Sequence, residues 1–244
     1  MNPSIPALKF DRVSKSYGAL PVLNGIAFEV APGECFGLAG INGAGKTTLI
    51  KCLLDFCAYD AGAIAIAGRT STEAAARAPL AFLPERFVAP YFLRGEEFLR
   101  HTLELYGRGY DAAQAHAALA ALDFDAAALS RPVRGYSKGM TQKLGLAACL
   151  LAERDIYVLD EPMSGLDPKA RALVKASFGK LTTAGRTLFF TSHVLSDIEE
   201  LCDRMAILHG GSLRFIGSPA ELAARHGGNL EQAFLQVIDD PAVA

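Results

Sequence analysis

The sequence has little of what would tie a protein to an oxidising compartment, to nucleic acid or to the interior of a bilayer. It carries five cysteines, Cys35, Cys52, Cys57, Cys149 and Cys202. The count is odd, no two stand in a C-x-x-C spacing, and most lie inside apolar runs, which argues against a disulfide frame or a zinc site and for reduced core residues of an intracellular protein. The formal net charge is -2, so there is no basic footprint and no nucleic-acid partner is expected. No uninterrupted apolar run approaches the ~18 residues that span a bilayer; "LGLAACLLA" is closed by Lys143 and Glu153. The opening "MNPSIPALKFDR" lacks the basic and apolar regions of a signal peptide, and the chain is expected to be soluble by itself. No repeat of fixed period is visible.

What is present suits one large α/β domain, or one domain with a lobe, built from 244 residues. Short β-like runs come first: "ALKFDRV", "VLNGIAFEV" after Pro21, and "CFGLAG" after the turn "APGE". The helical pattern "KTTLIKCLL" follows the third run at once. "GAIAIAG" reads as a strand, and an alanine-rich helix is predicted near Ser71 to Ala78 with Ser71 as its N-cap. From about Arg94 to Ala152 apolar residues recur at three- and four-residue spacing, as in "GEEFLRHTLELYG", so this stretch reads as a helical lobe inserted between strands. Strand-like runs return in "DIYVLD", "RTLFFTSH" and "RMAILHGGSLRFIG", with helices after Pro168 and after His193. Continuous apolar runs such as "IYVL" and "TLFF" suit buried parallel strands. The tail offers two short helices broken at Gly227 and Gly228.

"GINGAGKT" places Gly40, Gly45, Lys46 and Thr47 in the G-x-x-x-x-G-K-T pattern, between a strand and a helix. Glycines there let the backbone wrap phosphate oxygens, Lys46 can reach the β and γ phosphates, and Thr47 can hold Mg²⁺. "DIYVLDEP" is an apolar strand ending in two acids. Delivered beside the phosphate loop, Asp160 can ligate the metal and Glu161 can serve as base for an attacking water.

With "LPER", "YSKGMTQ", "SGLD" and "TSH" added in order, the chain resembles the ATP-binding subunit of ABC transporters, bacterial export type, from about Leu8 to the tail. The resemblance implies a phosphate-loop NTPase core of mainly parallel sheet, an N-terminal antiparallel β subdomain and an inserted helical subdomain. It implies one such domain over 1–244, the helical part at about 86–152 and a helical tail at about 218–244. Asn42, Gly43, Ala44, Gly45, Lys46, Thr47 and Thr48 would bind the phosphates of ATP, and Tyr17 in "SKSYG" would stack on adenine. His193 would contact the γ phosphate and help hold Glu161 and the water. Ser137 and Gly139, at a helix tip, would meet the nucleotide of a second subunit, and Asp167 would link the two sites; both Ser137 and Asp167 also suit plain N-caps. His101, His116, His209 and His226 are left as surface or structural residues.

Two departures from the family pattern stand out. Glu85, in "FLPER", occupies the place where glutamine is common; its oxygen can still ligate Mg²⁺. The signature commonly has a glycine where Lys138 stands, and a lysine there would add positive charge near an anion. The resemblance further implies an ATPase with ATP and Mg²⁺, paired head to tail in what is expected to be a homodimer. It would drive a separate transmembrane permease from the cytoplasmic face of the membrane, with export the implied direction. The alternative is a soluble ABC-type ATPase serving a non-membrane partner.

Overall fold

A computed structural model describes residues 5–225 and 228–239. Two sheets form the frame. The first, in the order β2-β1-β4-β5, is antiparallel and comes from the chain's beginning: β1 (Leu8–Tyr17), β2 (Leu20–Val30), β4 (Ala61–Ile66) and the two-residue β5 (Arg69–Thr70). The second has the order β10-β9-β3-β8-β7-β6. Its strands are β3 (Cys35–Ala39), β6 (Leu80–Leu83), β7 (Ile156–Leu159), β8 (Thr187–Ser192), β9 (Arg204–His209) and β10 (Ser212–Gly217). All its pairings are parallel except the β9–β10 hairpin at one edge.

The sheets meet through phenylalanines. Phe10 of β1 stacks on Phe28 of β2 at 4.5 Å between ring centres, and Phe28 stacks on Phe36 of β3 at 5.1 Å. α1 (Lys46–Leu53) shares this core through Leu49, Ile50 and Leu53. The second sheet's strands β7 and β8 are buried at every residue, which is why they read as unbroken apolar runs. A second core continues into α2 (Gly95–Leu105), α3 (Ala112–Ala121) and α4 (Lys138–Leu151), the helices that lie between β6 and β7 in sequence. α5 (Pro168–Thr183) and α6 (Leu195–Leu201) follow β7 and β8, and α7 (Pro219–Arg225) and α8 (Leu230–Asp239) close the described chain.

Three expectations are corrected or refined. The helix predicted from Ser71 to Ala78 is only a 3₁₀ turn, Ala74–Arg77, preceded by Glu73. Ser71 does not cap it: the turn begins after Glu73, the Ser71 hydroxyl is buried without a partner, and its N–H donates to Ile64 at 2.9 Å, extending the β4–β5 pairing. The run "RMAILHGGSLRFIG" is two strands, reversed through Gly210 and Gly211 at φ 56° and 76°, a two-residue turn that needs left-handed backbone. The break between the tail helices includes Gly228; Gly227 and His226 lie outside the described residues.

Candidate functional site

In an open parallel sheet, ligands sit at the carboxyl ends of the strands. Four adjacent strands, β3, β8, β7 and β6, all end at one edge here. They deliver, in spatial order, the loop Gly40–Gly45, His193, the pair Asp160 and Glu161, and Glu85. Ile41 to Thr48, Glu85, Glu161 and His193 line a single cleft of about 510 Å³ with Ser164, while Asp160 is buried behind it against Thr47.

Gly45 begins α1 with φ 109°, and a Cβ there would stand 2.9 Å from the Val22 carbonyl. The turn therefore excludes side chains, leaving the first N–H groups of α1 facing the cleft, where the helix end favours an anion. Lys46 is 7% exposed. Its ammonium donates to the carbonyls of Gly40 at 2.6 Å and Ile41 at 3.3 Å and lies 3.7 Å from Glu161 Oε1, so it is fixed across the loop before any ligand arrives.

The acidic pair is held differently at each member. Asp160 accepts from the Thr47 hydroxyl at 2.8 Å on one oxygen and from the Thr191 hydroxyl at 2.6 Å on the other. Glu161 has φ 48°, in the left-handed region that costs a side-chain-bearing residue energy. Its N–H donates to Thr191 Oγ1 at 2.9 Å, and its Oε2 meets His193 Nδ1 at 2.8 Å. Its other oxygen, Oε1, is buried with no hydrogen-bond partner. One oxygen of the carboxylate is thus clamped by His193, and the other has only the Lys46 ammonium at 3.7 Å beside it.

Thr191 is the residue that sequence reasoning missed. It lies unmarked inside the apolar run "LFFTS", yet is fully buried and joins both acids. Gln142 was missed too: buried in α4, it donates to the Pro162 carbonyl at 2.9 Å, tying that helix to the "DEP" turn.

Tyr17 stands outside the residues lining the cleft. It is half-exposed, and its hydroxyl donates to Cys57 Sγ at 3.7 Å. That bond, then burial, holds the phenol above its ordinary pKa, while the Thr48 hydroxyl pulls the other way.

Ser137, Gly139 and Asp167 line a different recess, of about 400 Å³, with Arg131, Lys143 and Asp123. Ser137 caps α4, accepting from the Met140 N–H at 3.2 Å, and Asp167 caps α5 before Pro168, accepting from Ala170 N–H at 2.9 Å. Lys138 does not line that recess. Its stem lies over Gly165 of the "SGLD" turn, where a Cβ would come within 3.0 Å of the lysine Cε, and it faces the groove that holds Glu85, Arg86 and Gln142.

The donor set near the loop is one of hard oxygens: the Thr47 hydroxyl, the Asp160 carboxylate and, further along the cleft, Glu85. No group of three or more His, Cys, Asp or Glu residues that could enclose a metal by itself occurs among the described residues. That fits Mg²⁺, which is commonly bound through one or two carboxylates together with substrate phosphates.

A strand, a glycine loop closed by lysine and threonine, and an acid pair at the end of β7, two strands away in the same sheet, define a phosphate-loop ATPase. The particular class is the ABC type. The chain matches the ABC transporter family over residues 23–164, and it belongs to that family. It is 39% identical over 230 residues to the Nod factor export ATP-binding protein I of Paraburkholderia xenovorans, covering 91% of this chain and 74% of that protein. Its structure resembles the ATP-binding subunit of an ABC transporter with a TM-score of 0.84 at 30% identity, covering 95% of this chain and 99% of the other. It also resembles a bacterial Atm1-family ABC exporter with ATP bound, with a TM-score of 0.79 at 26% identity, over 99% of this chain and 43% of the exporter. The protein is thus an ABC ATP-binding subunit, an ATPase coupled to transport that works with a membrane permease. Among its described residues no helix is long and apolar enough to cross a membrane.

Proposed function

We propose that this subunit powers export by closing on ATP as a head-to-tail pair and reopening after hydrolysis, held at the cytoplasmic face of the membrane by its permease. The carrying observation is that the phosphate cleft and the recess of Ser137, Gly139 and Asp167 are separate on one chain. A second copy, turned head to tail, would bring its Ser137 tip to the nucleotide of the first. The direction, export, draws on the names of the relatives, which include Nod factor export proteins.

In this reading the loop amides and Lys46 hold the β and γ phosphates, and Tyr17 stacks on adenine. Thr47 and Asp160, with Glu85 from the loop after β6, would hold Mg²⁺, which when bound supplies charge neutralisation to the phosphates. Glu161 takes the proton of the attacking water as its oxygen bonds to the γ phosphorus and the bond to the ADP oxygen breaks. His193 fixes Glu161 through the 2.8 Å contact. The segment after β6 exposes Val88, Tyr91 and Phe92 beside the groove of Glu85 and Lys138, an apolar face suited to a permease loop.

Glu161→Gln tests the reading. That variant should bind ATP, hydrolyse it at least ~100-fold more slowly, in the range general-base loss gives, and elute as a dimer with ATP but not ADP. Wild-type turnover would remove Glu161 as the base, and a monomer at saturating ATP would remove the paired geometry. A multi-span permease should copurify from detergent extracts; a soluble assembly in its place would replace the transport role.

A further inference from the structure

Two thiols face each other at the end of α1 opposite the phosphate loop. Cys52 is buried in the last turn of the helix, and Cys57 is partly exposed in the loop that follows. Their sulfurs are 3.6 Å apart. Cys57 Sγ also accepts the Tyr17 hydroxyl, and the Lys15 ammonium lies 5.3 Å from the centre of the Tyr17 ring. Core packing accounts for Cys52, whereas Cys57 sits at the margin of that core, partly exposed, where its sulfur also tethers the Tyr17 ring.

We propose that Cys52 and Cys57 form a thiol–disulfide site, oxidised by hydrogen peroxide, that governs how firmly Tyr17 is held for nucleotide binding. The Cys57 thiol gives up its proton, the thiolate attacks one peroxide oxygen and the O–O bond breaks; the departing hydroxide takes up that proton as one water, leaving a sulfenic acid at Cys57. Cys52 sulfur then attacks Cys57 sulfur; the S–S bond forms, and the sulfenic hydroxyl leaves as a second water with the Cys52 proton. Two thiols and one peroxide become one disulfide and two waters, with two electrons passing from sulfur to oxygen.

The order of the steps follows from exposure. Burial, then the Cys57 thiol, push Cys52 up to about 12, so Cys52 stays protonated and Cys57 meets the oxidant first. Closure from 3.6 Å to the ~2.05 Å of a disulfide draws Cys57 Sγ toward the helix and away from the Tyr17 hydroxyl. A half-exposed ring without its tether is less ordered for stacking. This consequence rests on the reading of Tyr17 as the adenine contact, whereas formation of the disulfide does not.

The test uses the full chain and two readouts. After brief peroxide treatment, non-reducing peptide mapping should find Cys52 joined to Cys57 with loss of two hydrogens. Titration with a fluorescent ATP analogue should then show affinity reduced by up to roughly tenfold, about 1.4 kcal/mol, on the order of one base stacked on an aromatic ring. Dithiothreitol should restore it, and Cys57→Ser should be insensitive to peroxide. The proposal is overturned if Cys52 and Cys57 stay reduced while Cys202 is oxidised, if the disulfide forms without weakening the analogue, or if Cys57→Ser loses affinity equally. Failure of the reduced protein to bind the analogue at all would instead overturn the reading of the cleft, and the mapping would still decide the thiol chemistry.

Discussion

Thr191→Val removes one hydroxyl and keeps the branched shape of a fully buried side chain on β8. Two bonds go with it: the donation to Asp160 Oδ1 at 2.6 Å and the acceptance from Glu161 N–H at 2.9 Å. The orphaned N–H costs ~1–3 kcal/mol, and the lost bond to a carboxylate ~1.5–3 kcal/mol. Asp160 keeps the Thr47 hydroxyl on its other oxygen, which puts the combined loss toward the lower part of that sum, about 3 kcal/mol. In a chain of this length that lowers the thermal midpoint by roughly 6–12 °C. Activity should fall further than stability explains, because the same hydroxyl pins the backbone of Glu161 at its left-handed φ. Thermal unfolding by circular dichroism and steady-state phosphate release, measured well below the midpoint, separate the two effects. Thr191→Ser restores both hydrogen bonds and should recover turnover. A Thr191→Val protein that melts within about 2 °C of wild type and turns over normally would refute the argument that this hydroxyl organises the acid pair.

Lys46→Ala should weaken ATP binding at least ~10-fold, about 1.4 kcal/mol, by calorimetry while the fold persists; unchanged affinity would mean that the glycine loop is not the site. Ser137→Ala should cost ~1 kcal/mol of stability through the lost α4 cap and depress ATPase, yet leave ATP binding by the isolated chain intact. Loss of that binding would contradict the trans geometry. Lys138→Ala should lower kcat a few-fold at constant KM, because its stem braces Gly165 in its own chain; a raised KM with intact kcat would put the ammonium on phosphate instead.

The motifs were legible because their chemistry is local. A glycine loop needs its glycines in a row, and the strand before it and helix after it are written in adjacent residues. The parallel order of the large sheet followed from the apolar runs and the resemblance together. Less was legible where a feature depends on distant partners. The turn after Ser71 looked helical from its alanines, but β4 was already using the Ser71 N–H, a tertiary demand invisible in composition. Thr191 is separated from Asp160 by 31 positions, and nothing in "LFFTS" distinguishes a hydroxyl that packs from one that bonds a carboxylate and a backbone N–H. Lys138 was expected to add charge beside Ser137 and Gly139; successive residues on a helix point to different sides, and its side chain runs over Gly165 toward the Glu85 groove.

That divergence bears on how nucleotide could move the helical part of the chain. Ser137 and Asp167 cap two helices that share one recess, so an anion arriving there meets two helix N-termini at once. Gln142, one turn after Ser137, is bonded to Pro162, next to Glu161. Lys138 crosses from the same tip onto Gly165, and Ser164 beside it lines the phosphate cleft. The tip that would receive a neighbour's nucleotide is thus joined to the turn that carries Glu161. A phosphate pulling on Ser137 would reach Glu161 through Gln142 and Pro162 without a long relay. If two copies pair as proposed, so short a connection would give a physical reason for their sites to fire in concert, because occupation of the recess would bias the position of the Glu161 carboxylate.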